Sequence, residues 1–158
     1  MEFKELMDAF AEDVGMTEPV AYEEDGNVCR LDINEREVGF MYAAEAGSMV
    51  VWTAVCPFPP DGGEALLAQL LRANFMNRGI PDGALSLSDE NDICAHCTIR
   101  LPVYDKVEFY GLLKRFLESV GEWREMIELA GRAKGFVKEI RPEEPPTRPM
   151  PDEMRFDA

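Results

Sequence analysis

The apolar residues of this chain recur at a helical period, then at a strand period, in runs, and that ordering restricts the fold more than anything else in it. Residues 2–14 place Phe3, Leu6, Met7 and Phe10 three and four apart, which aligns them on one helical face. Gly15 follows and is suited to end a helix in a left-handed conformation. Three strand-like stretches come next. In the first, Cys29, Leu31 and Ile33 share a face opposite Arg30 and Asp32; in the second, Val38, Phe40 and Tyr42 share one. Met49 to Cys56 is apolar on both faces, the pattern of a central, covered strand. Asn34-Glu35 and Ala46-Gly47 are short enough for hairpins, so the three stretches read as an antiparallel meander.

Pro57, Pro59 and Pro60 end the meander, and Asp61 with Glu64 reads as a capping box for a second helix to about Asn77. Its apolar arc is too wide for one contact surface. Leu67, Leu71 and Phe75 are expected to face the sheet. That leaves Leu66, Leu70 and Ala73 to join a second subunit. Pro81-Asp82-Gly83 is a turn, strands 84–88 and 93–101 flank a polar loop, and Asp105 with Glu108 caps a last helix. There Phe109, Leu113, Phe116, Val120, Trp123 and Ile127 form one stripe. Helix, three strands, helix, two strands, helix describes an α+β fold, an antiparallel sheet packed by helices.

The chain has 158 residues, 46% hydrophobic and 30% charged, and residues 1–134 are expected to form one domain. No apolar run has membrane-spanning length, and Met1 to Glu5 lacks the features of a signal peptide, so a cytoplasmic protein is expected. The net charge of −15 lies mainly on residues 1–104, which hold 19 acids against 6 bases. Such a field disfavours nucleic acid and anionic membranes as partners. Residues 135–158 change character, with Pro142, Pro145, Pro146, Pro149 and Pro151 among acids, and read as an extended or disordered tail. Its P-x-x-P pairs are of a kind that arises by chance in such a composition.

The only constellation that tempts a chemical reading is Cys94-Ala95-His96-Cys97. Strand alternation sends Cys94 and Cys97 to opposite faces, where they cannot share a metal or form a disulfide. His96 is the sole histidine, and phosphate loops, dinucleotide fingerprints and nucleophile elbows are absent from the sequence. No catalytic residue, metal or cofactor is therefore expected.

Leu70-Leu71-Arg72-Ala73-Asn74-Phe75, Gly83-Ala84-Leu85-Ser86-Leu87-Ser88 and Leu101-Pro102 come in order before Phe109, Leu113, Phe116 and Trp123. This succession resembles the type III secretion chaperone family, the Tir chaperone-like or class I effector chaperones. It covers residues 60 to 127 by specific residues and the body to about residue 130 by element order. The resemblance implies a small acidic homodimer, without nucleotide or metal, around which an extended segment of a secreted effector winds. Together with their apolar character, it makes Phe3, Met7, Phe10, Val38, Phe40 and Tyr42 the expected effector-binding residues. Two other readings stand beside it: an adaptor or regulatory protein of the same fold that binds a folded partner, and a thiol-dependent enzyme.

Overall fold

A computed structural model describes residues 2–103 and 105–132; the proposed tail lies outside the described residues. Helix α1 (Phe3–Asp13) is followed by β1 (Tyr22–Glu23), β2 (Val28–Asp32), β3 (Glu37–Ala43) and β4 (Ser48–Pro57). Helix α2 (Gly63–Asn74), β5 (Gly83–Leu87), β6 (Asp92–Arg100) and α3 (Lys106–Arg132) complete the order. The strands form one antiparallel sheet in the order β1-β2-β3-β4-β6-β5. The α+β class holds, with one addition: β1 is two residues long, too short for a periodic signal, and pairs with the start of β2.

The expected turns form, each by its own chemistry. Asn34 and Glu35 both have positive φ (53° and 61°), the geometry that matches the twist of a two-residue hairpin. The next turn is longer than expected, a single 3-10 turn at Ala44–Ala46 closed by left-handed Gly47. Asp105 accepts the Glu108 backbone N–H at 2.9 Å, as its capping role requires. Asp61 does not cap α2. The cap position falls on Gly62, one residue later, and no side chain caps that end.

One face of the sheet holds the core. Leu31, Val38, Phe40, Met49, Val51, Ile93, Ala95 and Ile99 project into it, and α1 and α3 cover them. The centre is an aromatic triangle joining α1, β3 and α3. Its ring centroids are 5.5 Å apart for Phe10–Phe109 and 6.4 Å for both Phe10–Phe40 and Phe40–Phe109. On α3 the predicted stripe is buried from Phe109 to Ile127, and half-buried Trp123 donates its indole N–H to the Gly79 carbonyl at 3.0 Å.

The opposite face of the sheet is uncovered among the described residues and carries half-buried Val50 and Trp52 with exposed Met41. Trp52 lies flat across Gly39, where a Cβ would come within 2.2 Å of its ring.

Candidate functional site

The six expected effector-binding residues meet one another instead of solvent. Phe3, Met7 and Phe10 are buried on α1, Val38 and Phe40 are buried on β3, and Tyr42 is half-buried. Phe3 stacks on Tyr42 at 5.7 Å with the rings 11° from parallel. This corrects the expected surface, and the reason is simple. A helix with one apolar stripe and a sheet with one apolar face satisfy each other within a chain, without the entropic cost of association.

Helix α2 is corrected in the same way. Leu66 and Leu70 are buried within the chain and Ala73 is half-buried, so none of them forms a free joining surface. Leu67, Leu71 and Phe75, expected to face the sheet, are 40%, 71% and 62% exposed, and Met76 is 75% exposed. The rotation of the helix is fixed by Asn74. Its amide donates to the Leu85 carbonyl and accepts the Leu85 N–H, both at 2.8 Å, as a neighbouring strand would. Leu66, Leu70 and Asn74 are spaced by four, so docking Asn74 on β5 turns both leucines inward. The next row, Leu67, Leu71 and Phe75, is left facing out. With Met76 and Leu87 of β5 it accounts for five of the ten large apolar side chains that are exposed among the described residues.

A second accessible feature lies beside α1. Asp8, Ala11 and Glu12 of α1 and Met16, Glu18, Val20 and Tyr22 of the following segment line a cavity of about 540 Å³. Tyr22 is tied down by its hydroxyl, which donates to Asp8 at 2.8 Å, and burial followed by that carboxylate raises its pKa. The cavity combines apolar walls with three carboxylates. Next to it, β1 pairs only with Val28 and Cys29, so among the described residues Arg30 to Asp32 of β2 have no strand on that side. A pocket with an open strand edge is suited to an extended chain.

The cysteines are poorly placed for chemistry. Cys97 is buried on the core face of β6 and Cys94 half-buried on the other, as alternation predicts. Burial raises all four thiols, Cys29 and Cys97 to about 12, which keeps them protonated at neutral pH. Among the described residues no group of three or more histidines, cysteines or carboxylates is arranged to hold a metal. No described helix is long and apolar enough to cross a membrane.

The model of the Tir chaperone protein (CesT) family matches residues 5–124. The chain belongs to this family. No curated protein matches it. Among solved structures, the ExsC–ExsE complex aligns with a TM-score of 0.67 at 18% identity, over 80% of this chain and 97% of that one. The HopA1–SchA chaperone–effector complex aligns at 0.58 and 20% identity, over 77% and 92%. The Yersinia pestis type III secretion chaperone SycH, solved with a fragment of YscM2, aligns at 0.58 and 16% identity, over 75% and 97%. At these identities the structures establish a shared fold, and the family match establishes membership. Of the signals that locate the accessible surfaces, the sequence holds one, the Leu67–Leu71–Phe75 row, which faces solvent and not the sheet. The cavity beside α1 depends on how residues 16–22 fold back, which no periodicity encodes.

Proposed function

We propose that the protein is a cytoplasmic, non-catalytic chaperone that holds an extended segment of a protein destined for type III export. The observation that carries this reading is the cavity beside α1 together with the unpaired edge of β2. An incoming strand would pair its backbone with Arg30 to Asp32 and place an apolar side chain among Ala11, Met16 and Val20. The carboxylates of Asp8, Glu12 and Glu18 favour a lysine or arginine next to that side chain. Holding a chain this way breaks no bond, consistent with protonated thiols. Two structural relatives, the HopA1–SchA chaperone–effector complex and the type III secretion chaperone SycH, support the same reading.

The protein acts as a homodimer in this proposal, joined through Leu67, Leu71, Phe75 and Met76 in place of the row first expected. The test is to capture the partner from the source cell and synthesise the segment that binds. Isotope-labelled, that segment keeps an extended amide pattern in the complex, and Asp8→Lys with Glu12→Lys weakens binding at least tenfold. A partner that stays fully folded when bound, or that ignores the double substitution, moves the protein to the adaptor reading.

A further inference from the structure

The two edges of the sheet are treated differently. At the β5 edge Asn74 takes both backbone groups of Leu85, at 2.8 Å each, and fills the place of a further strand. At the other edge β1 stops after two residues and leaves β2 partly open. Bonds at the two ends of β2 fix which of its residues face that opening. The Asn27 carbonyl accepts the Tyr42 N–H at 2.7 Å, and Ile33 and Arg36 exchange bonds at 2.8 and 3.2 Å. Asn27, Cys29, Leu31 and Ile33 therefore address β3, and in an antiparallel ladder the residues between them address the other side. Val28 meets Glu23 there, whereas Arg30 and Asp32 meet no strand among the described residues.

The segment before β1 belongs to the same line. Tyr22 pairs with Cys29 and Glu23 with Val28, so the register carried on would set Ala21 opposite Arg30, Val20 opposite Leu31 and Pro19 opposite Asp32. Ala21 could exchange both bonds with Arg30. Pro19 could not do so with Asp32, because its nitrogen carries no hydrogen. Proline also restricts the residue before it, and the chain bends at Glu18. Alternation puts Val20 on the same side as Tyr22, which faces α1 through Phe3 at 6.3 Å.

We infer that Pro19 is a positioning residue: it stops β1 short and so holds the lane opposite Arg30 to Asp32 open for a partner strand. Without it, residues 19–21 would take the lane themselves. Val20 would then fill the place beside Ala11 and Met16 that the proposed function gives to the partner's apolar side chain. The use of the lane by a partner rests on that function, and the stop itself does not.

The test follows amide hydrogen exchange at Val28, Arg30 and Asp32 in the full-length protein. Val28 should be protected, and Arg30 and Asp32 should exchange at least tenfold faster. Pro19→Thr supplies a donor and a strand-prone residue at an exposed position, and should slow Arg30 and Asp32 at least tenfold. Adding Ala21→Pro removes the donor opposite Arg30 and should return both to the fast rate, with Val28 still protected. The captured partner segment should bind Pro19→Thr at least tenfold more weakly than the unmodified protein. Slow exchange of Arg30 and Asp32 in the unmodified protein overturns the inference, as does fast exchange in Pro19→Thr. Slowing in Pro19→Thr that grows with protein concentration also overturns it, because a second copy would then fill the lane. Undiminished binding by Pro19→Thr with both amides slowed leaves the stop standing and overturns the use of this edge by the partner.

Discussion

Helices α1 and α2 have nearly the same length and both are rich in apolar residues, yet they end in different environments. In α1, Phe3, Leu6, Met7, Phe10 and Ala11 are all buried, and the face away from the sheet is polar. In α2 only Leu66 and Leu70 are buried, while Leu67 and Leu71 stay in solvent with Phe75 beyond them. One apolar stripe is satisfied by one sheet. Two adjacent stripes are not, and the second marks where another surface belongs. Of the two helices expected to meet a partner, α1 is thus the closed one, and α2 retains the free surface.

The sharpest way to break this comparison is to place a charge on each of the adjacent leucines of α2. Leu70→Asp buries a carboxylate against β5 and is expected to prevent folding, seen as loss of a cooperative urea transition. Leu71→Asp is expected to fold with nearly unchanged stability and to sediment as a monomer where the unmodified protein sediments as a dimer. A monomeric unmodified protein at micromolar concentration would remove the dimer from the proposed function and leave the exposed row unexplained. On α1 the parallel change is Phe10→Ala. Loss of one corner of the aromatic triangle should cost about 3–5 kcal/mol in urea denaturation, whereas Leu71→Ala should cost less than about 0.5 kcal/mol in the folded chain.

Asn74 sharpens the comparison at the next level of effect, because it sets which stripe of α2 turns inward. Asn74→Ala leaves the Leu85 N–H and carbonyl without their protein partners and should destabilise the protein by about 1–3 kcal/mol. Amide exchange at Leu85 should accelerate with it. An unchanged denaturation midpoint would mean that Leu66 and Leu70 alone hold the helix in place.

These two helices also show what the sequence could reveal. Period and spacing located α1, α2, α3 and five of the six strands, because each buries one face and the pattern repeats often enough to be read. The strand alternation likewise separated Cys94 from Cys97. Which of two neighbouring leucine rows on α2 faces inward depends on a single amide reaching across to β5, a tertiary contact with no local periodicity. For α1 the error was of another kind. Its apolar stripe was read correctly and assigned to a partner, although the sheet of the same chain was there to meet it. The cavity beside α1 could not be foreseen, since it is made by a loop and a two-residue strand.

The smallest expected effect concerns how the closed helix is tied at its far end. Asp13, at the end of α1, accepts hydrogen bonds from Lys106 at 2.7 Å and from the Tyr110 hydroxyl, both on α3. Those two bonds, Lys106 first, hold the Asp13 carboxyl below its ordinary value of 3.8, while burial and then Asp13 raise Tyr110 from 10.0 to about 12. For Asp13 the folded pKa is depressed, so its contribution is present above the unfolded value and is lost as pH falls through the folded one. For Tyr110 the folded pKa is raised, so its contribution is complete below the unfolded value and is lost as pH rises toward about 12. The tie should therefore be constant between about pH 5 and pH 9 and weaken on both sides. The measurement is the urea midpoint against pH for the unmodified protein and for Asp13→Asn. The gap between the two curves should narrow as pH falls below the ordinary carboxyl value of 3.8 and close only once pH is below the depressed folded value. Since the tie is exposed, the gap should be small at its widest and shrink further with added salt. A gap that persists undiminished in acid would mean that Asp13 acts through packing of the α1 terminus and not through its charge.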